Sequence, residues 1–169
     1  MTNAKYDARA RSDAEQGCAV ADTLADYSSA PEAFWQGTYD HDVSQNITAL
    51  LSAINGKAPY AILDFGCGPG RDLKHFTELG HAPTGLDGTA EFAAMARKHS
   101  GCKVLQQNFI ALDLPPERFD GVFANASLFH VPSAALPRVL GELCAALKPG
   151  GVLFASNPRG DNQTLWLLP

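Results

Sequence analysis

The chain has 169 residues, enough for one domain with a real core, and its 46% hydrophobic and 18% charged residues are ordinary for a water-soluble globular protein. A formal net charge of −5 leaves no basic footprint for nucleic acid or an acidic membrane surface, and no apolar run is long enough to span a bilayer. The N-terminus lacks a signal-peptide pattern, and Cys18, Cys67, Cys102 and Cys144 are scattered without C-x-x-C spacing, which points to free thiols in a reducing cytoplasm rather than to disulfides or a metal site.

Residues 1–30 are polar and alanine-rich and read as an N-terminal extension, frayed at first, then loosely helical from about Asp13 to Tyr27. Residues 31–58 form a second unit. Within it, Phe34, Trp35 and Tyr39 bring a dense aromatic load to a segment that also holds Gly37, His41 and Asp42. Val43, Ile47, Leu50, Leu51 and Ile54 then recur at helical spacing, with Asn55-Gly56 as a stop.

Ala61 to Asp72, AILDFGCGPGRD, is the stretch that orders the rest. It reads as a buried strand (Ala61, Ile62, Leu63), an acid at its end (Asp64), a glycine-rich turn and a helix start. Gly66, Gly68 and Gly70 let the backbone turn tightly and approach a ligand. In an open α/β sheet, ligands bind just outside the carboxyl ends of the strands, where this loop lies.

Helix and strand signals alternate from there to Ser156. Arg71–Leu79 is a helix, and Ala82–Leu86 a strand with Asp87 at its carboxyl end. Thr89–His99 is an alanine-rich helix, and Lys103–Gln106 the third strand, followed by Asn108 and Phe109. A loop with paired prolines precedes the fourth strand, Phe119–Ala124, and Asn125 to His130 follow its end. Ser133–Leu147 is a helix with Ser133 as N-cap; Lys148-Pro149-Gly150-Gly151 closes it and opens the fifth strand, Val152–Ser156. The pattern predicts an α/β domain over residues 59–169.

Leu63-Asp64-Phe65-Gly66-Cys67-Gly68-Pro69-Gly70 resembles the first motif of the class I S-adenosylmethionine-dependent methyltransferases. The resemblance extends from about Tyr60 to Asn157 and includes Asp87, the His130-Val131-Pro132 turn and the Leu147-Lys148-Pro149-Gly150-Gly151 run. The competing nicotinamide dinucleotide fingerprint is G-x-G-x-x-G. This chain has G-x-G-x-G, with Arg71 where the third fingerprint glycine would fall.

The resemblance implies a Rossmann-like, doubly wound, mainly parallel sheet of order 3-2-1-4-5. It implies S-adenosylmethionine as cofactor and S-adenosylhomocysteine as product. It places Asp64, Gly66 and Gly68 at the methionine portion, Asp87 at the ribose, and Asn108 with Phe109 at the adenine, with Cys67, Arg71 and Gly88 as further cofactor contacts. Asn108 stands where the family often has an acid; its amide oxygen still accepts a hydrogen bond. Asn125 and Ala126 are expected to line the transfer site, and residues 31–46 to lie over the cofactor with Trp35 and Tyr39 as contacts. His130 and His41 are the candidate general bases, since histidine titrates near neutral pH. The Asp/Asn-Pro-Pro-Tyr/Phe motif of amide and base methylating enzymes is absent, so the expected acceptor is a small molecule. The alternatives are a cofactor-binding fragment without turnover and, further off, a dinucleotide-dependent oxidoreductase.

The family's domain normally carries two more strands, six and seven, for which the sequence after Ser156 is too short. Strand five is then expected to be a sheet edge, covered by the apolar Thr164–Leu168 tail or by a second copy of the chain.

Overall fold

The computed structural model describes residue 21 and residues 23–157. The first part of the expected N-terminal helix and the Thr164–Leu168 tail lie outside the described residues.

Five strands form one parallel sheet in the order β3-β2-β1-β4-β5. Strand β1, Ala61–Phe65, is central, pairing with β2 (Ala82–Asp87) on one side and β4 (Phe119–Asn125) on the other. β3 is Lys103–Gln106 and β5 is Leu147–Ser156. Ile62 through Phe65 are all buried, as expected of a parallel strand covered on both faces.

Alternation along β1 sorts its side chains between two cores. Leu63 and Phe65 join Leu86, Val122 and Ala124 beneath helix α5 (Leu136–Ala146), which contributes Val139, Leu143 and Ala146. Ile62 faces the other way, against Ile47, Leu50 and Ile54 from helix α2 (Ser44–Ala53), with Phe76 and Phe123. On that same face Leu73 of α3 (Arg71–Glu78) packs with Ala93 and Ala96 of α4 (Ala90–Ser100). Helix α1, Pro31–Thr38, precedes these and buries no residue of its own. Gly121 lets α2 come close: a Cβ there would stand 3.0 Å from Ile54 and 3.2 Å from Leu50.

Two boundaries differ from the sequence reading. Helix α5 begins at Leu136, with Ala135 as N-cap, so Ser133 does not cap it. Pro137 has no N–H to give and a fixed φ, so it fits the first turn and the helix starts around it. The fifth strand begins at Leu147, not Val152: Leu147 pairs with Phe119, the chain bulges through Gly150 (φ 79°), and pairing resumes at Val152 opposite Gly121. Lys148 anchors the bulge through Nζ contacts of 2.8 and 2.9 Å to Asp120, whose carboxylate also accepts the N–H of Ala61 at 2.7 Å. Among the described residues β5 pairs only with β4. No described helix is long and apolar enough to cross a membrane.

Candidate functional site at the carboxyl edge of the sheet

The loop after β1 turns through three glycines at positive φ: Gly66 (79°), Gly68 (50°) and Gly70 (93°). Two of them are also required by space. A Cβ on Gly66 would lie 2.5 Å from Cβ of Ser127, and one on Gly70 would lie 2.8 Å from Cα of Ala96. The loop is fixed to the neighbouring strand. The N–H groups of Gly66 and Cys67 both donate to the Leu86 carbonyl, at 2.8 and 3.0 Å. The N–H of Gly68 donates to Oδ2 of Asp87 at 3.0 Å, and Oδ1 of Asp87 accepts the N–H of Thr89 at 2.8 Å.

Three acids converge here. Asp87 is buried, which raises its carboxyl pKa; the Thr89 and Gly68 N–H groups pull the other way without cancelling the effect. Asp64, only 2% exposed at the end of β1, has an Oδ2 with no hydrogen-bond partner among the described residues. Its pKa is pushed well up, first by burial and then by the charge of Asp72, with Arg71 opposing. Asp72, in the first turn of α3, is held by Arg71 at 2.6 and 3.0 Å. Burial and the charges of Asp64 and Asp87 push the Cys67 thiol well up, which disfavours its thiolate form.

Two cavities open on this edge and share Phe34, Gly66, Gly68 and Ala126. The first, about 90 Å³, is bounded by Asp87, Gly88, Thr89, Phe92, Phe109, Ser127 and His130, and by Leu24 and Tyr27 from the helical segment at residues 23–29. The second, about 290 Å³, is bounded by Trp35, Thr38, His41, Cys67, Arg71, Asp72 and Asn125. As two halves of one cleft they reach the lower end of the range for small-molecule sites, about 300–1,000 Å³.

Of the residues singled out in the sequence, Gly66, Gly68, Asp87, Gly88, Phe109, Ala126 and His130 line the first cavity. Trp35, His41, Cys67, Arg71 and Asn125 line the second. Three line neither. Asp64 is buried; Asn108 uses its Oδ1 to accept the Ile110 N–H at 3.0 Å; Tyr39 is 50% exposed beside Trp35. Phe109 lies against Phe65, ring centroids 4.3 Å apart, so it is both core and cavity wall.

The sequence reading missed Tyr27. Its ring meets Phe34 and His130 edge-on at 5.4 and 5.3 Å, and its hydroxyl lies 3.1 Å from Nε2 of His130. Leu24, one turn earlier, lies against Gly88, where an added Cβ would be 2.6 Å from its Cδ2. In the sequence Leu24 and Tyr27 share a helical period with Val20, which marks an inward face, but the partner His130 is 103 residues away and only the fold brings them together.

Known proteins agree with this geometry. A family model described as a methyltransferase domain matches residues 62–151. Malonyl-(acyl-carrier protein) O-methyltransferase of Pectobacterium atrosepticum is 32% identical over 134 residues, covering 76% of this chain and 52% of that protein. The crystal structure of Burkholderia thailandensis 1,6-didemethyltoxoflavin-N1-methyltransferase, with bound 1,6-didemethyltoxoflavin and S-adenosylhomocysteine, superposes with a TM-score of 0.63 at 26% identity, covering 85% of this chain and 63% of that one. Haemonchus contortus phosphoethanolamine N-methyltransferase 1, solved with phosphoethanolamine and S-adenosylhomocysteine, shares the fold with a TM-score of 0.68 at 16% identity, covering 93% of this chain and 36% of that one. The chain thus spans about half the length of the Pectobacterium relative. With its glycine loop, its strand order and the matched residues together, the chain belongs to the S-adenosylmethionine-dependent class I methyltransferases.

Proposed function

We propose that the two-part cleft binds S-adenosylmethionine and serves methyl transfer to a small-molecule acceptor, leaving S-adenosylhomocysteine. The observation that carries this reading is the buried Asp87 carboxylate at the end of β2, bonded to the Gly68 N–H of the loop leaving β1. A sugar diol needs a carboxylate acceptor beside closely approaching backbone, and this pair supplies both. The orphaned Oδ2 of Asp64 supports the same reading, because a buried acid without a partner suits a ligand ammonium group.

In this assignment Asp87 and Gly88 hold the ribose, and Phe109 with the aromatic wall of Phe34 and Phe92 encloses the adenine. Asn108 stands next to that wall and keeps one lone pair of its amide oxygen for the adenine amine. Gly66, Cys67 and Gly68 present main chain, Asp64 behind them acts on the ammonium through its field rather than by contact, and Arg71 keeps two guanidinium N–H groups beyond its three bonds for the carboxylate. Trp35 and Tyr39 belong to the cover, and Asn125 with Ala126 to the transfer edge. Bound there, the cofactor supplies a methyl group already activated on a positively charged sulfur. The residues therefore act mainly by orientation, an effect that reaches about 7–11 kcal/mol in favourable systems.

Where the acceptor must lose a proton, His130 is the better placed of the two histidines. Burial lowers its pKa, so the imidazole is neutral and able to accept at pH 7, and Tyr27 lies at its Nε2. The proton passes from the acceptor to the Tyr27 oxygen as the Tyr27 proton moves to His130. His41 lines the other half of the cleft and serves as base for an acceptor entering there.

We also propose that a second copy of the chain covers the outer edge of β5; light scattering on the purified protein checks this as a dimer mass against a monomer mass.

The test is mass spectrometry of the ligand that co-purifies with the chain. S-adenosylmethionine or S-adenosylhomocysteine supports the reading, and a nicotinamide dinucleotide overturns it. Binding of the cofactor with no S-adenosylhomocysteine formed from any small acceptor would leave a binding module.

A further inference from the structure

Asp72 sits where three separate elements of the cleft meet. Its carboxylate receives Nε and Nη2 of Arg71 at 2.6 and 3.0 Å, and Nδ2 of Asn125 approaches Oδ2 at a longer 3.5 Å. The third arm of Arg71, Nη1, donates to the carbonyl of Thr38 at 2.8 Å. Thr38 is the last residue of α1, so a guanidinium caps the negative end of that helix.

On its far side Asn125 is equally constrained. A carboxylate offers only acceptors, so the Asn125 atom facing Asp72 is the amide nitrogen. Its Oδ1 therefore faces away, where it accepts Asn46 Nδ2 from α2 at 2.9 Å and Ser156 Oγ from β5 at 2.6 Å. Ser156 in turn receives the N–H of Ala126, at 2.9 Å on its carbonyl and 3.3 Å on its hydroxyl. Ala126 is held at φ 53°, a conformation that a residue with a Cβ adopts only when its surroundings impose it. The polar chain thus runs from the end of α1 through Arg71, Asp72 and Asn125 to the ends of β4 and β5.

We infer that Asp72 is a positioning residue that locks the covering helix α1 and the transfer edge at Asn125–Ala126 to the loop between them. It is 8% exposed and uses both oxygens on partners from this same chain. Without it Arg71 keeps its charge but loses the brace that aims it at Thr38, and Asn125 loses the acceptor on its amide-nitrogen side, leaving it held by Asn46 and Ser156 alone. The lock acts on the methionine half of the cleft, so its effect on cofactor binding rests on the reading given above. Its effect on α1 does not.

Trp35 lies on α1, and Trp166 is the only other tryptophan. In a Trp166→Phe background, acrylamide quenching of Trp35 reports how firmly α1 is seated, with or without ligand. Asp72→Ala is expected to raise the quenching constant of the ligand-free protein about twofold and to weaken S-adenosylhomocysteine binding at least about fivefold, the lower end of ordinary coupling between sites. Asp72→Glu, which restores a carboxylate, is expected to bring back the original quenching. A folded Asp72→Ala protein with unchanged Trp35 quenching overturns the inference. Should Asp72→Ala fail to fold, Arg71→Lys reads the same arm, because an ammonium cannot bridge Asp72 and Thr38 as a fork does; unchanged quenching there overturns it equally. If the unsubstituted protein binds no S-adenosylhomocysteine, the cofactor reading fails while the ligand-free comparison still decides this one.

Discussion

The side chain of Asp87 and the backbone of Gly68 are joined by a 3.0 Å hydrogen bond, so the end of β2 and the loop leaving β1 form one surface. The same carboxylate receives the Thr89 N–H at 2.8 Å and so fixes the turn that leads into helix α4. Asp87 thereby combines a local turn role with a place in the cleft. These effects oppose one another in stability. Removing Asp87 loses two charge-assisted bonds but also relieves a buried carboxylate whose pKa burial has raised. Asp87→Ala is therefore expected to change folding stability by no more than ~2 kcal/mol in either direction, read by urea unfolding.

Asp64 makes the opposite trade plainer. Its folded-state pKa is raised, so the native state binds a proton that the unfolded chain has released. Stability is thus lost as pH rises from the ordinary carboxylate range through the raised native value. Asp64→Asn removes that loss and the orphaned charge, and is expected to stabilise the ligand-free protein by about 1–2 kcal/mol at pH 7. It should flatten the fall in stability above pH 4 while weakening cofactor binding. Melting curves across pH check both signs.

Gly66→Ala is expected to cost about 2–4 kcal/mol, from a positive φ unsuited to alanine and a Cβ driven to 2.5 Å from Ser127. Gly80→Ala, with φ 81° but nothing within 4 Å, separates the two causes. It carries only the backbone part, about 1 kcal/mol, and the difference between the two variants measures the clash.

His130 has a depressed pKa, so its contribution to stability is complete above its unfolded value of about 6.5 and is lost as pH falls through the folded value. In the tautomer protonated on Nδ1, the Tyr27 hydroxyl donates to Nε2 and favours the neutral imidazole. Tyr27→Phe is expected to move the His130 pKa upward towards 6.5, with burial keeping part of the depression. NMR titration of the His130 ring protons reads it; an unchanged or lower value means that the hydroxyl is not the donor.

Much of the fold could be read from residues. Ile62 to Phe65 are a continuous apolar run broken by one acid, and a parallel strand buried on both faces needs that composition. The glycine loop and the acid that ends β2 stood out in local pattern, and the strand order came with the family resemblance that this pattern carries. What could not be read has physical causes. Pro137 displaced the start of α5 because one fixed φ outweighed a good capping serine. The bulge at Gly150 depends on Leu147 pairing with Phe119, a long-range contact without local signal. Tyr27, Leu24 and Asp72 line the cleft only through partners on other elements, whereas Asn108 commits one lone pair of its amide oxygen to its own turn at Ile110.

Calorimetric titration of the chain and of its Asp87→Ala variant with S-adenosylhomocysteine tests the central claim most directly. The account predicts saturable one-to-one binding that weakens by about tenfold to a hundredfold in Asp87→Ala, the loss expected for charge-assisted hydrogen bonds to a ligand. Equal affinity in the two proteins would contradict it.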